Sequence, residues 1–517
     1  MSWSIDAIFW GGLLRFCQAA LHAAPTLLVG LIVAGVFRKL LGAEATRQAF
    51  GGRTWRSLPQ AWLWGMLLPV CSLGVIPVAY ELRRVGLSGG AILAFALTAP
   101  LFNPLSLLYG LTLSSPVVLV AFALASLLVV TSVGFLWDWW FPDSAVEAEA
   151  EPPVPPGLGR LAAVALAASR HAAGPTLLYC LIGLAGSMVL AAIFPNGSLT
   201  DSMAHTDPTA PLQMLLVAIP AYATPLNVMM QVGGMFVHGN SVGAAYVLLA
   251  LGAGANLGLI AWAWKTYGLM RAAAFLSLFI AVVIGIAYAI EDPLYSAGSV
   301  DRPHTHAFDV YACPFRPGMS GLPQKTVSKL LDGLELYELV ALGCIATMVA
   351  VGFAVAQLDP NGRIDAALAK PPEPAAAAAP SILQVYVPGP VLGVVAIAGL
   401  VVLSVVGCFI YFPPPKVTLE DMVNIKAEAL VAANSKDVET AVKSIALYDD
   451  LTRRLQVGYY LRNLELSDFQ QAKARALRGR LEQLKDVMED GDFDRVRDLN
   501  ARVSAAHRRL RDAFTEE

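Results

Sequence analysis

The sequence predicts an all-α polytopic membrane protein made of two inverted repeats with proline-broken re-entrant helices, followed by a C-terminal soluble helical domain. The first supporting observation is composition. Of 517 residues, 56% are hydrophobic and only 15% are charged, and the mean hydropathy is +0.59. A water-soluble chain rarely has this balance. The other two observations are an internal repeat and a rise in charge density near residue 416.

Continuous apolar runs predict the membrane spans. A spanning helix needs about 20 mainly apolar residues to cross the hydrocarbon layer. Eight runs meet this length: 12–36, 88–110, 115–137, 161–194, 241–263, 268–290, 334–358 and 386–412.

Two further apolar segments, 61–80 and 211–237, contain prolines that interrupt a helix. These are Pro69 and Pro77 in the first segment and Pro211, Pro220 and Pro225 in the second. Backbone groups freed in this way must be buried in protein or line a watery cavity, as in the discontinuous helices of transporters. We therefore expect two broken, re-entrant hairpins.

Basic residues predict the orientation. Arg38, Lys39, Arg47, Arg53 and Arg56 follow the first span, and such clusters mark the cytoplasmic side. The amino terminus is then expected outside, and a strict count of the spans places the C-terminal tail outside as well.

Two blocks of sequence recur in the same order. His22-Ala-Ala-Pro-Thr-Leu-Leu28 returns as His171-Ala-Ala-Gly-Pro-Thr-Leu-Leu178, with one inserted glycine. The second block keeps its internal spacing: Gly86, Ser88, Gly90, Ala91 and Asn103 return as Gly239, Ser241, Gly243, Ala244 and Asn256. Three full spans per repeat would orient the halves oppositely, as in secondary transporters. The alternatives are a duplication without transport and chance similarity.

These signals divide the chain into six parts. They are a first permease repeat (1–142), an acidic proline-rich linker (143–159), a second permease repeat (160–290), a polar extramembrane loop (291–333), two additional transmembrane helices with a Pro/Ala linker (334–412), and a soluble helical tail (413–517).

The tail is predicted to be a small helical bundle or coiled pair. Residues 416–517 carry 18 of the 36 Lys and Arg and 19 of the 39 Asp and Glu. Helix starts are expected at Thr418, Ser435 and Ser467, the last with a capping box to Gln470, and Asp490-Gly-Asp492 should separate two helices. Contact with a protein partner or self-association is its expected use.

Several function classes find no support. The formal net charge of −3 gives no basic surface for nucleic acid. The six cysteines form no CxxC pair, so neither a disulfide framework nor a zinc site is predicted. No metal motif or catalytic dyad lies in the spans, so we predict no enzyme, cofactor or bound metal. No P-loop motif is present, so the energy for transport must come from a gradient or a partner.

The proline-broken segments supply the candidate substrate-binding residues. Breaks free carbonyl and amide groups at membrane depth, beside a soft thiol and several hydroxyl and amide groups. The candidates are Cys71, Ser72, Pro77, Asn103, Thr224, Pro225, Asn227 and Asn256. Helix capping is the alternative role for Asn103 and Asn256. Repair of backbone groups freed by proline is the alternative for Thr224 and Asn227, and for Gln231 one turn beyond.

His22 and His171 are repeat-related and lie inside spans, where an ionisable side chain suggests a function. Proton coupling is one hypothesis, and a hydrogen bond between helices is the other. The spans show no evident carboxylate relay for them. At the end of the second repeat, Glu291 and Asp292 are expected to cap the preceding span.

The outer loop holds residue types that bind transition metals. These are His304, His306, Asp309 and Cys313, with Thr305 between the histidines. Their spacing matches no metal signature, so a solvated loop with incidental histidines is the simpler interpretation.

The motifs at these breaks resemble a known family. Cys71-Ser-Leu-Gly-Val-Ile-Pro77, Gly86-Leu-Ser-Gly-Gly-Ala91 and Ala99-Pro-Leu-Phe-Asn103 are similar to the C-S-C-G-x-x-P, G-x-S-x-G-A and small-Pro-x-x-N blocks of a bacterial predicted-permease family. That family includes organoarsenical efflux permeases and copper or zinc effluxers. The resemblance covers about residues 10–290.

The second half carries matching blocks, and the sequence also departs from the family pattern. Ala223-Thr-Pro-Leu226 and Gly239–Asn256 are similar to the family's second S-T-P and G-x-S-P-G-A blocks. The second cysteine of C-S-C-G is replaced by Leu73, and no cysteine stands at Ala221 or Tyr222. A soft ion prefers several Cys or Met ligands, so Cys71 would need help from Met229 or Met230.

The resulting hypothesis is a multi-pass permease of the bacterial inner (plasma) membrane. It would be a secondary efflux transporter for a small molecule or ion, with metals and metalloids among the candidate solutes, and its two inverted repeats would give alternating access. Export is what the resemblance implies. The alternative is a membrane-anchored receptor or scaffold that acts through the C-terminal helical domain.

Overall fold

The computed structural model describes residues 5–52, 54, 56–102, 104–113, 116–142, 159–295, 305–316, 318–359, 363–364 and 389–515. These residues form helices joined by short connections and include no β-strand. They fall into two compact units. Unit 1 is Met1–Leu107 with Val117–Val402, and unit 2 is Leu108–Pro116 with Leu403–Glu517.

The first half of unit 1 begins with a long helix that continues through a π-helical segment, Phe37–Leu41. The helices in order are α1 (Ile5–Val36), α2 (Gly42–Ala49), α3 (Ser57–Leu67), α4 (Val75–Arg84), α5 (Gly89–Thr98), α6 (Pro104–Leu113) and α7 (Pro116–Trp140). The apolar segment 61–80 is broken at residues 68–74, as its prolines predict.

From the broken segment onward, the second half has the same order of helices as the first, but it begins with two helices in place of α1 and has no helix at the place of α2 within the described residues 159–295. Its helices are α8 (Gly159–Ala173), α9 (Pro175–Ile193), α10 (Ala210–Ala218), α11 (Pro225–Val237), α12 (Val242–Val247), α13 (Leu257–Tyr267) and α14 (Leu269–Leu294). A π-helical segment, Leu248–Ala253, extends α12. The apolar segment 211–237 is broken at residues 219–224, also as predicted.

Beyond the second half lie α15 (Leu322–Asp332), α16 (Leu336–Leu358) and α17 (Gly389–Tyr411). Within the described residues, six helices are long and apolar enough to cross a membrane. They are Ile5–Ala49, Pro116–Trp140, Pro175–Ile193, Leu269–Leu294, Leu336–Leu358 and Val391–Tyr411. The chain is therefore an all-helical, multi-pass membrane protein.

Three of the eight predicted continuous spans contain breaks. Segment 88–110 is divided between α5 and α6. Segment 161–194 is interrupted at the inserted Gly174, and Pro175 begins the next helix. Segment 241–263 lies in a helix pair bent by 57°. The sequence thus predicted these apolar stretches correctly but not their interruptions.

The recurring Gly-x-Ser turns have the same local geometry. Gly86 and Gly239 have φ angles of 79° and 67°, a conformation that glycine adopts without steric cost. Ser88 accepts a hydrogen bond from the Ala91 amide, and Ser241 accepts one from the Ala244 amide. Each serine therefore caps the helix that follows.

In each half, a carboxylate from the last helix binds the start of the helix that follows the Gly-x-Ser turn. Asp138 Oδ1 accepts a hydrogen bond from the Gly90 amide at 2.7 Å. Glu291 Oε2 accepts one from the Gly243 amide at 2.6 Å. We expected Glu291 to cap its own span, α14. It instead caps α12. These matches support a structural repeat, while its inverted orientation stays a prediction.

The tail forms a four-helix assembly with its own core. Its helices are α18 (Pro415–Asn434), α19 (Val438–Asn463), α20 (Asp468–Asp490) and α21 (Val496–Thr515). Buried side chains from all four pack together, among them Met422, Tyr448, Leu481 and Leu510. Ser467 and Gln470 form the predicted capping box. Helix α19 is capped by Asp437 rather than Ser435.

Candidate functional site

The first break places Cys71 and Ser72 in a fully buried turn between α3 and α4. The Gly74 amide donates to Cys71 Sγ at 3.4 Å. Helix α1 packs directly against this turn. The Gly30 Cα faces the Gly74 backbone, and a side chain at Gly30 would not fit between them. Pro77 lies buried in the first turn of α4, where a missing amide hydrogen leaves no helical bond unmade. Both halves of the broken segment therefore stay helical.

The second break connects α10 to α11. Thr224 is buried and accepts a hydrogen bond from the Asn227 amide through Oγ1 at 3.3 Å. Pro225 follows as the first residue of α11, a position that suits its fixed φ angle. Thr224 therefore satisfies a backbone amide next to Pro225, in line with the backbone-repair alternative, and the Asn227 side chain is half-buried.

The third break precedes α13 and contains Asn256. Its side chain is fully buried, and Oδ1 accepts a hydrogen bond from the Leu259 amide at 3.0 Å. Asn256 is thus a helix cap as well. Its repeat equivalent, Asn103, lies outside the described residues.

The three breaks meet at one face of α9. A Cβ placed on Gly183 would lie 2.6 Å from Leu73 Cδ2 and 2.8 Å from Asn256 Oδ1. One turn further, Gly186 faces the Pro220 carbonyl. The first, second and third breaks therefore all contact the same short stretch of one helix, and only small residues allow that approach.

Two buried polar atoms around this meeting point have no hydrogen-bond partner among the described residues. They are Ser72 Oγ and Asn256 Nδ2. A buried polar group without a partner costs about 1–3 kcal/mol, so such groups are rare unless they serve another purpose. They are the candidate hydrogen-bonding groups of this site.

A second thiol lies at this site. Cys180, on the same helix as Gly183, is buried and lies near Cys71. The Tyr222 hydroxyl faces both thiols and Thr26 of α1. Sequence reasoning missed Cys180 because it lies in an apolar run, where a thiol resembles a small hydrophobe. We name the group Cys71, Ser72, Cys180, Tyr222 and Asn256 the break site.

The remaining candidate near the second break is engaged elsewhere. Gln231 Oε1 accepts a hydrogen bond from the Tyr311 hydroxyl at 2.7 Å. Tyr311 belongs to the loop after α14, which also binds the Arg15 side chain of α1 through the Asp309 and Ala312 carbonyls. Part of this polar loop, 305–316, is therefore packed against the helices.

The outer loop does not assemble its predicted metal-binding types. His306 Nδ1 lies 2.8 Å from Asp309 Oδ2, whereas the Cys313 thiol is buried and donates to the Ala7 carbonyl. Among the described residues, no group of three or more His, Cys, Asp or Glu side chains could hold a metal ion. His304 lies outside those residues.

Both repeat-related histidines bind a buried glutamate. His22 Nδ1 lies 2.7 Å from Glu338 Oε1, and His171 Nε2 lies 2.7 Å from Glu81 Oε1. The expectation that no carboxylate would serve these histidines was wrong. Glu81 follows the first break by two helical turns, and Glu338 lies far along the chain, so spacing alone could not reveal either pair.

Comparison with known proteins agrees with this architecture. A family model described as predicted permease, ArsP_1, matches residues 11–291, which is more than half of the chain. The UPF0718 protein YcgR of Bacillus subtilis (strain 168) is 30% identical over 92 residues, which cover 18% of this chain and 31% of that protein. The match thus spans less than a third of that relative. No solved structure matches the chain. With its broken helices and buried polar site, this chain belongs to the ArsP_1 family of predicted permeases.

Proposed function

We propose that this protein is a secondary efflux permease that moves a small solute through the break site. The observation that carries the proposal is the meeting of three helix breaks at α9, where Ser72 and Asn256 keep unpaired polar atoms. Broken helices that surround a central polar site are how secondary transporters bind solutes at mid-membrane depth.

The proposed transport cycle uses the two halves. Each half brings its own breaks to the site, and each locks one helix start with a carboxylate, Asp138 or Glu291. Rocking of one half against the other would open the break site to one side at a time. The proposed location is a bacterial inner membrane, in keeping with the family.

The proposed solute class includes soft metals and trivalent metalloids. Thiolate ligands favour such species, and Cys71 and Cys180 supply two thiols where the sequence offered one. Met229 is also buried, on α11 beyond the second break. A soft species would be bound as cargo and released on the far side.

The test compares cellular content of methylarsenite, copper and zinc in an efflux-deficient bacterial strain that expresses the protein. We expect lower content of at least one solute with the wild type, lost in Cys71→Ala and in Cys180→Ala. Cys344→Ala is the matched control, because that cysteine is exposed. Equal content in all strains would remove the metal and metalloid solutes. A retained effect in both thiol variants would move the site elsewhere.

A further inference from the structure

The Glu81 carboxylate binds partners from three separate parts of unit 1. His171 Nε2 of α8 lies 2.7 Å from Oε1. Arg38, in the π-helical segment after α1, lies 3.6 Å from the same oxygen. Arg84 of α4 itself lies 3.6 Å from Oε2. The glutamate side chain is only 3% exposed, so these contacts are largely shielded from water.

The other elements that contact α4 include α1, α5 and α13. Helix α5 has no charged residue, and α13 contacts α4 through aromatic rings, Trp262 on Tyr80 and Tyr267 on Arg83. The charged groups that act on Glu81 are His171, Arg38 and Arg84. The Tyr80 ring also lies 6.5 Å from the His171 ring.

The His171 imidazole is the group of this cluster that can bind one further proton. Arginine stays charged in proteins, whereas histidine gains or loses its charge between about pH 5 and 8. When a proton binds His171, the 2.7 Å contact to the Glu81 carboxylate gains the attraction between opposite charges at a site shielded from water. Loss of that proton removes this attraction and weakens the contact.

The Glu81–His171 contact joins the two halves of the permease next to the first break. Glu81 lies on α4, the helix that starts directly after the break containing Cys71 and Ser72. His171 lies in the last turn of α8, in the second half. Any movement of α4 against α8 must stretch or break this hydrogen bond, so its strength affects access to the break site.

We infer that the Glu81–His171 pair is a proton-binding site that controls access to the break site, which makes the proton the coupling ion. The inference rests on the proposed permease function. With the proton bound, the pair holds α4 and keeps Cys71 buried, as in this structure. Without it, α4 separates from α8 more readily, and the proton leaves to water on the side that has opened.

The test measures how fast Cys71 reacts with a maleimide at different pH values, in full-length protein in lipid nanodiscs whose other five cysteines are replaced by serine. Each rate is divided by that of the same thiol in unfolded protein at the same pH, which removes the titration of the thiol itself. We expect the corrected rate to rise with pH between about pH 5 and 8, by about 5- to 150-fold, the usual range for coupled sites.

Glu81→Gln and His171→Gln should give rates that no longer depend on pH. His22→Gln is the matched control and should behave like the parent, because His22 binds Glu338 instead. A flat parent profile would overturn the inference even if the variants fail to fold. So would a parent-like profile in both pair variants, or an equal loss in the control.

This assay needs no solute, so its failure differs from failure of the proposed function. A flat profile with solute export intact would remove only the proton site. A pH-dependent profile without any export in cells would keep the proton-controlled movement and reject the permease function.

Discussion

At the scale of single residues, the buried polar groups divide into caps and site groups. Thr224 and Asn256 both cap helices. Capping was the alternative role for Asn256, and repair of backbone groups freed by proline was the alternative for Thr224. Asn256 also keeps an unpaired buried Nδ2, so capping does not use its full hydrogen-bonding capacity. The sequence predicted a break at Thr224, whereas Asn256 fell inside a predicted continuous span, and a donor left without a partner is visible only in three dimensions.

The carboxylate of Glu291 should be a main support of the second half. It accepts hydrogen bonds from Ser241 Oγ at 2.7 Å and the Gly243 amide at 2.6 Å, and it lies 2.6 Å from His205 Nδ1. A hydrogen bond to a charged group contributes about 1.5–3 kcal/mol. We expect Glu291→Ala to lower the thermal unfolding midpoint in detergent clearly.

The neighbouring residue provides the control for that substitution. The Asp292 side chain is 93% exposed, and we expect Asp292→Ala to leave the midpoint nearly unchanged. Equal effects of the two substitutions would contradict the role assigned to Glu291. The sequence suggested that both residues cap their own span. The contact of Glu291 with Gly243 joins residues far apart in the chain, so the sequence did not reveal it.

At the scale of elements, the predictable breaks were those with prolines in the interior of an apolar run. Breaks 68–74 and 219–224 were predicted for this reason. The interruption at Gly174 was missed, since the inserted glycine was taken as a change within a continuous span. The bend before α13 has no proline and depends on Asn256 as a cap, a signal too weak to identify alone.

Helix α9 needs glycine at position 183 to hold the breaks together. An added Cβ would contact Leu73 Cδ2 at 2.6 Å and Asn256 Oδ1 at 2.8 Å, and overpacking of this kind costs about 1–3 kcal/mol. We expect Gly183→Ala to lower the unfolding midpoint and abolish solute export in the cell assay. Gly343→Ala on α16, where an added Cβ meets nothing within 4 Å, should keep both. Export by Gly183→Ala at the wild-type level would argue against the break site.

The tail helices contain a buried histidine that predicts their response to acid. Burial, helped by the positive charges of Lys426 and Arg511, lowers the pKa of His507 from 6.5 to about 4. The unfolded tail therefore takes up this proton at a higher pH than the folded tail, so stability should fall as the pH drops from about 6.5 to about 4. The free energy of unfolding at each pH is measured by circular dichroism of a 413–517 fragment during urea unfolding.

A variant and a second residue separate this effect from other acid effects. His507→Gln should lose the stability change in that pH window, and an unchanged pH dependence would contradict the assignment. Asp449 acts in a lower window. Arg453 and Arg478 hold its pKa at about 2 against the opposing effect of burial, so its contribution should disappear only as the pH falls from about 4 towards 2.

At the scale of the whole molecule, composition and apolar runs were enough to predict a helical, multi-pass membrane protein, and the short motifs were enough to predict the family. The pairing between the halves was not predictable. Glu81 with His171, and Cys71 with Cys180, each join the first half to the second, and one sequence without relatives carries no signal for such long-range pairs.

The permease and scaffold hypotheses differ in what the tail must do. The family match ends at residue 291, and the tail core is formed by its own four helices. We therefore expect a chain shortened after Phe412 to keep solute export per inserted molecule in the cell assay. Loss of the whole cellular phenotype, with normal membrane insertion, would favour a scaffold that acts through the tail.

The most direct test of the central claim is transport by the purified full-length protein in liposomes. Vesicles loaded with methylarsenite, copper or zinc are diluted into solute-free buffer, and their remaining content is followed by mass spectrometry. The account predicts faster loss of at least one solute than from loaded liposomes that contain no protein, and no such increase with Cys71→Ala. If no solute moves while cells that express the protein still show lower content, the chain acts through a partner and the permease account is contradicted.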